Sequence, residues 1–319
     1  MYLQQFGLQR NPFSLNAEPR CMYYSASHRE AAAQLLFAVR EYKGIALLAG
    51  DPGTGKTMLL HSVLQLIRTA PVVPCVILNP IVETAQDLLL QILGGFQLHP
   101  ASRAVGDMIN MLYAYLEDQR RMRRRALLVV DEAQQLNPIM LERLRLLSNL
   151  ESSGQRLLQL VLCGQSEIRK TLAEPQLAGL RQRIVARCET RRLNAEEVWN
   201  YMAMRVARAG SDGRMLFQPE AISTLAAVSG GIPRVINVLA DNSLIAAYSA
   251  GQTVVSAEQV QRMARHFDLA DGDTPADAVL SITGFATPDA WKKLVEDYAG
   301  SEIPLALQEF GRSVAARTA

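Results

Sequence analysis

Eight consecutive residues constrain this chain more than any other stretch: Gly50-Asp51-Pro52-Gly53-Thr54-Gly55-Lys56-Thr57. The pattern, a glycine, four further residues and then Gly-Lys-Thr, is that of the loop that cradles phosphates. Its glycines let backbone N–H groups approach an anion closely, and the N-terminus of a following helix adds partial positive charge. The lysine and threonine side chains reach the terminal phosphates and Mg²⁺. Such a loop works between a strand and a helix, and the flanks read that way. Ile45 to Ala49 is an apolar run of strand type, and the apolar residues of Met58 to Ile67 recur at helical spacing. The sequence thus marks Gly50, Asp51, Pro52, Gly53, Thr54, Gly55, Lys56, Thr57 and Met58 as a nucleotide-binding set, with ATP and Mg²⁺ as the expected ligands.

A second half of the site is expected where an apolar strand ends in acid. Ala126-Leu127-Leu128-Val129-Val130-Asp131-Glu132 is such a run. Beside a P-loop, Asp131 is expected to hold the Mg²⁺ shell together with Thr57, and Glu132 to orient and polarise the attacking water. The other reading is a surface acidic pair at a strand end. Leu157 to Cys163 forms another strand and ends in Gly164-Gln165. Gln165 at that tip can touch a γ-phosphate or its water, or be an ordinary turn residue.

Around these motifs the chain alternates strands and helices, which argues for a parallel sheet covered on both faces. A helix is expected from His28 to Tyr42, and a strand at Cys75 to Asn79 bounded by Pro74 and Pro80. Helices follow at Thr84 to Leu93 and Val105 to Gln119, and Asn137-Pro138 starts another through cap and first-turn proline. A last strand runs from Val185 to about Leu193. From Asn194 onward helices succeed one another. Asn194 with Glu197 and Ser256 with Gln259 are capping-box pairs, and Pro219 starts a helix that Gly230 can stop. Arg234 stands in the first turn of a helix beginning near Pro233. The boundaries read from this are an N-terminal arm over 1–30, an α/β nucleotide-binding domain over 31–193, a helical domain over 194–267, and a linker with a short helical tail over 268–319.

The arm carries Phe6 and Phe13, rings that some surface must bury. Asp268 to Pro275 reads as the linker. Beyond it Trp291, Leu294, Val295 and Tyr298, then Ile303, Leu307, Phe310 and Val314, form two helical stripes whose apolar faces must dock on the body, the default, on another subunit or on a partner. Arg120, Arg121, Arg123, Arg124 and Arg125 form a basic cluster at the end of a helix. It reads as a solvated C-terminus complementing the helix dipole, or as a patch for an anionic partner.

Composition narrows the remaining classes. A chain of 319 residues with 49% hydrophobic content can bury a sizeable core, and a net charge of +2 does not announce nucleic acid or membrane. No apolar run approaches the roughly 18 residues a membrane span needs, so a cytoplasmic protein is expected. Four cysteines without a CxxC pair, two of them in expected core strands, argue against a disulfide framework, and four dispersed histidines against a readable metal site.

Several further stretches coincide with one family. Phe6-Gly7-Leu8 with Pro12-Phe13, Ser27-His28-Arg29-Glu30-Ala31, the P-loop, and Asp131-Glu132-Ala133-Gln134 followed by Leu141-Glu142-Arg143-Leu144-Arg145-Leu146-Leu147-Ser148-Asn149-Leu150-Glu151 are the stretches concerned. Over roughly 1–267 the chain resembles the AAA+ ATPases of the general secretion pathway protein A (ExeA-type) family. The resemblance implies a five-stranded core of strand order 5-1-4-3-2 with a C-terminal helical lid. It places Gln165, within Gly164-Gln165-Ser166-Glu167, at sensor 1, and Arg234, within Gly230-Gly231-Ile232-Pro233-Arg234, at sensor 2. Arg183 in Leu180-Arg181-Gln182-Arg183-Ile184 resembles the arginine finger that reaches a neighbouring subunit's nucleotide, with Arg181 and Arg187 as rivals.

Members of the secretion branch are expected to continue into a membrane span, whereas this chain ends in its helical tail. ATPases of similar core, the TniB and TnsC type, regulate transposition by assembling on DNA. The expected function is therefore an oligomeric ATPase that remodels or recruits a partner, either an envelope assembly factor or a transposase on duplex DNA. The alternatives are an ATP-dependent switch with little hydrolysis, against which Glu132 argues, and a small-molecule kinase.

Overall fold

The computed structural model describes residues 2–16, 18–42, 44–269, 287–300 and 303–316. They divide into two compact units, one of Ala26–Pro52, Lys56–Thr190 and Leu305–Ala319, the other of Met1–Ser25, Gly53–Gly55 and Arg191–Pro304.

The first unit is built on a parallel sheet. Its strands are β1 (Ile45–Gly50), β2 (Val72–Ile77), β3 (Arg125–Val130), β4 (Leu158–Gln165) and β5 (Ile184–Thr190). The spatial order is β2-β3-β4-β1-β5, and every pairing is parallel. Read from the other edge this is the 5-1-4-3-2 order implied by the family resemblance. A strand covered on both faces needs apolar side chains at every position, and all six residues of β1 are buried. Alternate residues such as Leu47, Leu128, Val130, Leu160 and Leu162 join one core cluster with the helices Ala85–Gly95, Val105–Arg121 and Pro138–Leu147. On the other face Leu35, Leu36, Leu59 and Leu60 of the helices Ala26–Glu41 and Lys56–Leu66 are buried. Each such aliphatic side chain contributes about 1.5–3 kcal/mol on burial.

β2 departs from its expected bounds. It begins at Val72, runs through Pro74 and stops at Ile77, leaving Leu78 and Asn79 exposed. Proline was expected to bound the strand because it cannot donate to a ladder. β2 is an edge strand paired only with β3, and an edge position tolerates the missing N–H. β5 likewise ends at Thr190 rather than near Leu193. The helix Leu305–Ala316 belongs to this unit, with the Arg40 guanidinium 4.8 Å from the Phe310 ring centroid.

The second unit is helical: Ala195–Arg208, Pro219–Ser229, Pro233–Ser249, Ala257–His266 and Pro288–Gly300. Capping boxes at Asn194/Glu197 and Ser256/Gln259 form as read from sequence, and Gly230 closes its helix in the left-handed conformation. Gly231 is required where it stands. Its φ is +72°, Leu193 N–H donates to its carbonyl at 2.9 Å, and a Cβ there would lie 1.9 Å from the Leu193 oxygen.

The aromatic arm is part of this core. Phe6 and Phe13 are buried, and Phe13 meets Phe217 edge to face at 5.8 Å. Arg205, 3% exposed, donates from Nε to the Pro12 carbonyl and from Nη2 to that of Ser14 at 2.7 Å, so a buried cation ties the arm to the helix Ala195–Arg208. Trp291 of the helix Pro288–Gly300 packs edge to face on Trp199 with centroids 5.2 Å apart. The two stripes of the expected tail therefore belong to different units. Of the expected linker, 270–275 lie outside the described residues. Among the described residues no helix is long and apolar enough to cross a membrane.

Candidate nucleotide site

The P-loop leaves β1 at Gly50 and enters a helix at Lys56. Gly53 and Gly55 have φ of +79° and +94°, a region glycine enters without steric cost. Lys56 is 6% exposed, and its ammonium donates to the carbonyls of Gly50 and Asp51 at 3.0 Å each. Both of these partners are backbone carbonyls of the loop itself, so the ammonium is held at the loop's own mouth. Thr57, one residue on, donates its hydroxyl to Asp131 Oδ2 at 2.7 Å.

Asp131 follows β3 directly and is 2% exposed; its Oδ1 accepts the Glu132 N–H at 2.9 Å. Glu132 is left-handed, with φ +50° and ψ +35°. That conformation costs a non-glycine residue about 1–2 kcal/mol and is held where the surroundings over-determine it. Here they do. Glu132 Oε2 accepts from Gln134 Nε2 at 2.5 Å and from Gln165 Nε2 at 3.3 Å. Gln165 is the last residue of β4, in register with Gly50 at the end of β1, so the parallel sheet delivers it beside the start of the P-loop. Next to it, Ser166 Oγ donates to Asp51 Oδ1 at 2.9 Å.

Cys163 lies behind this cluster, fully buried in β4. Burial, and then the Asp131 charge and its hydrogen bond, hold its thiol well above the ordinary range. It stays protonated beside the carboxylate.

The candidate arginines have partners of their own. Arg183 ends the helix Ala178–Arg183 and donates from Nη1 to Asn149 Oδ1. Arg181 donates to the carbonyls of Leu172 and Ala173 at 3.2 and 3.0 Å, where a helix C-terminus leaves them unpaired. Arg187 is exposed on the edge strand β5. Arg234 lies in the helical unit, where its N–H donates to Gly53 O at 3.3 Å. In the basic cluster, Arg120 pairs with Glu117 at 2.7 Å and Arg121 with Glu117 at 3.4 Å. The Arg120 hydrogen bond, with a further one from Ser152, lowers the Glu117 carboxyl to about 2. Arg121, Arg123 and Arg124 are exposed.

The residues present fit Mg²⁺ and a nucleotide. A hydroxyl and a carboxylate in contact are the hard oxygen donors Mg²⁺ takes, and this ion normally keeps waters and phosphate oxygens for its other positions. Among the described residues no group of three or more His, Cys, Asp or Glu is placed to hold a metal ion. Lys56, Thr57, Asp131, Glu132 and Gln165, singled out in the sequence, lie at these strand ends and in the loop, and two residues not singled out there, Gln134 and Ser166, are bonded to them or to Asp51. Gln134 had a signal, two residues beyond Glu132, but no assigned role. Ser166 had none, since its partner is 115 residues away.

Fold and site together define a P-loop nucleotide-binding protein of the AAA+ class. An AAA domain family model matches residues 39–172. General secretion pathway protein A of Aeromonas hydrophila is 41% identical over 255 residues, covering 79% of this chain and 46% of that protein. The chain belongs to the AAA+ ATPases of this ExeA type. It spans about half the length of the curated relative it matches, 46%. Among solved structures, Cdc6p from Pyrobaculum aerophilum superposes with a TM-score of 0.63 at 17% identity, covering 96% of this chain and 89% of that one. The Aeropyrum pernix ORC2 protein, solved as ADPNP-ADP complexes, gives 0.59 at 16% identity over 80% and 71%. Drosophila ORC bound to DNA gives 0.59 at 17% over 96% and 80%. At these identities the likeness establishes the shared fold.

Proposed function

We propose that the chain binds ATP with Mg²⁺ in the P-loop site, hydrolyses it to ADP and phosphate at an interface between subunits, and uses the cycle to remodel or recruit a protein partner of an envelope assembly. The observation that carries this reading is the Thr57–Asp131 hydrogen bond at 2.7 Å, with Glu132 held immediately beside it. A Mg²⁺ ion held there would supply charge neutralisation for the phosphates. Thr57 and Asp131 would hold it, and Lys56 would bear on the terminal phosphates. Glu132 would orient the attacking water through Oε1, since Oε2 already accepts two amides. Gln165 serves as sensor 1 at the β4 tip and Arg234 as sensor 2 in a lid over 194–267. Arg183 is the finger given to a neighbour, with Arg181 and Arg187 as rivals. The identity to general secretion pathway protein A supports the secretion partner.

A second reading, assembly on duplex DNA with a transposase as partner, draws on the exposed Arg121, Arg123 and Arg124 and on the fold shared with the DNA-bound Drosophila ORC. One experiment separates the two. Phosphate release and electron-microscope images are recorded with ATP, with and without duplex DNA. Turnover with assembly indifferent to DNA supports the first reading. Assembly only on DNA, weakened steeply by salt, supports the second. Absence of turnover in every assembled state overturns hydrolysis.

A further inference from the structure

Gln134 closes the Asp131-Glu132-Ala133-Gln134 stretch, yet neither phosphate nor metal binding gives it a role. It sits in the turn Ala133–Gln135 after β3, and its carboxamide is used at both ends. Nε2 donates to Glu132 Oε2 at 2.5 Å, and Oε1 accepts the backbone N–H of Gln165 at 3.0 Å. These partners define the amide's orientation. Reversed, it would set its oxygen against a carboxylate and its NH₂ against an N–H, two repulsive contacts in place of two hydrogen bonds.

The space for this amide is made by a glycine. Gly164 precedes Gln165 in β4, and a Cβ built there would lie 2.9 Å from Gln134 Oε1, 3.3 Å from Gln134 N and 3.3 Å from Ile168 Cδ1. The φ of Gly164 is not among the positive values, so backbone conformation does not demand glycine at this position. What demands it is the side chain lying across it. The result is a three-part latch: a bare patch on β4, an amide seated on it, and the Glu132 carboxylate held at the amide's far end.

We propose that Gln134 is a positioning residue that, seated on Gly164, ties the Glu132 carboxylate to the tip of β4 and so sets the oxygen that orients water. The proposal rests on the hydrolysis proposed above and deepens it. Glu132 stands in a left-handed backbone conformation on a turn, and a carboxylate there swings freely unless held. Gln165 Nε2 also reaches Oε2, but at 3.3 Å and from a side chain assigned to the phosphate. Gln134 is the shorter of the two contacts, and its other end is fastened to β4 main chain that pairs with β1 at Gly50. A displacement of about 1 Å in a water-orienting group costs about a hundredfold in rate.

The test uses the full chain with ATP and Mg²⁺, comparing wild type, Gln134→Ala, Gln134→Glu, Gly164→Ala and the Gly164→Ala/Gln134→Ala pair. Three quantities are read: steady-state kcat and KM, nucleotide Kd, and hydrogen exchange of the Gln165 amide. Gln134→Ala is expected to lower kcat about ten- to a hundredfold, with KM and Kd within about twofold, and to speed Gln165 exchange. Gln134→Glu keeps an acceptor for Gln165 and sets a like charge against Glu132. It should retain the exchange protection and lose kcat at least as far. Gly164→Ala should lower kcat in wild type and add less once Gln134 is already alanine, because the tightest of its three contacts, the 2.9 Å one to the Gln134 amide oxygen, is then gone. Unchanged kcat in Gln134→Ala overturns the proposal, as does a loss that appears in Kd, or full additivity of the pair. Were the wild type itself without turnover, hydrolysis would fall first. The exchange pattern of Gln134→Ala against Gln134→Glu would still support or overturn the latch.

Discussion

Thr57 and Asp131 are 74 residues apart in the chain, and the hydroxyl of one donates to the carboxylate of the other at 2.7 Å. Thr57 opens the helix that the P-loop joins to β1, and Asp131 directly follows β3; the two strands are not neighbours, and β4 lies between them. Parallel strands in register bring their ends to one edge of a sheet, where ligands bind in open α/β folds. Both halves of the site are thus consequences of strand order.

Lys56→Ala removes the buried ammonium and with it a charge-assisted contact to phosphate, worth about 1.5–3 kcal/mol. Nucleotide affinity should fall about ten- to a hundredfold, measured by titration calorimetry with a slowly hydrolysed ATP analogue.

Glu132→Gln keeps the shape of the side chain and removes its negative charge. Nucleotide Kd should stay within about twofold, while kcat for phosphate release falls about 10²- to 10⁴-fold. Wild-type turnover by this variant would remove Glu132 from the role assigned to it.

Arg183→Ala should abolish turnover in a pure assembly, the loss being about 10³- to 10⁵-fold if a finger is supplied in trans. Titrating it with Lys56→Ala subunits should restore part of the activity, since some interfaces then combine an intact P-loop with an intact arginine. No recovery at any ratio transfers the finger to Arg181 or Arg187, or denies one.

Trp291→Ala should destabilise the helical unit by about 3–5 kcal/mol, the usual cost of deleting a buried large aromatic. The chain has two tryptophans, and Trp199 and Trp291 form one pair, so the fluorescence of the remaining Trp199 reports the change as a lower urea midpoint.

The thiols should react unequally. Burial raises Cys75 and Cys188 to about 12, and Cys163 is raised by burial and by Asp131. Thiolate is the reactive form, so all three stay protonated and inert at pH 8 in the folded protein. Cys21, half-buried, is the one expected to be alkylated first by iodoacetamide, and mass spectrometry of native and urea-treated samples checks the order.

Where the determining interactions fall within one turn or one strand, the sequence alone was sufficient. Asn194 with Glu197, Ser256 with Gln259 and Asn137 with the Met140 N–H are caps whose partners lie three residues apart, and all of them form. The P-loop and the strand into Asp131 are likewise local, because loop, strand and helix must be contiguous to cradle a phosphate. Spatial strand order came from family resemblance rather than from spacing.

Tertiary structure decided the rest. That β2 runs through Pro74 depends on its lying at an edge, a property of the assembled sheet. That Arg205 is a buried anchor depends on carbonyls at Pro12 and Ser14, more than 190 residues earlier. Gln134 stands in the sequence within the Asp131–Gln134 stretch that carries the family resemblance, but without a role. Only when β4 brings Gly164 and Gln165 beside it does its amide gain two partners and a bare patch to lie on. A hydrogen bond needs its donor and acceptor within about 3 Å, and for groups distant in the chain only the packed fold supplies that proximity.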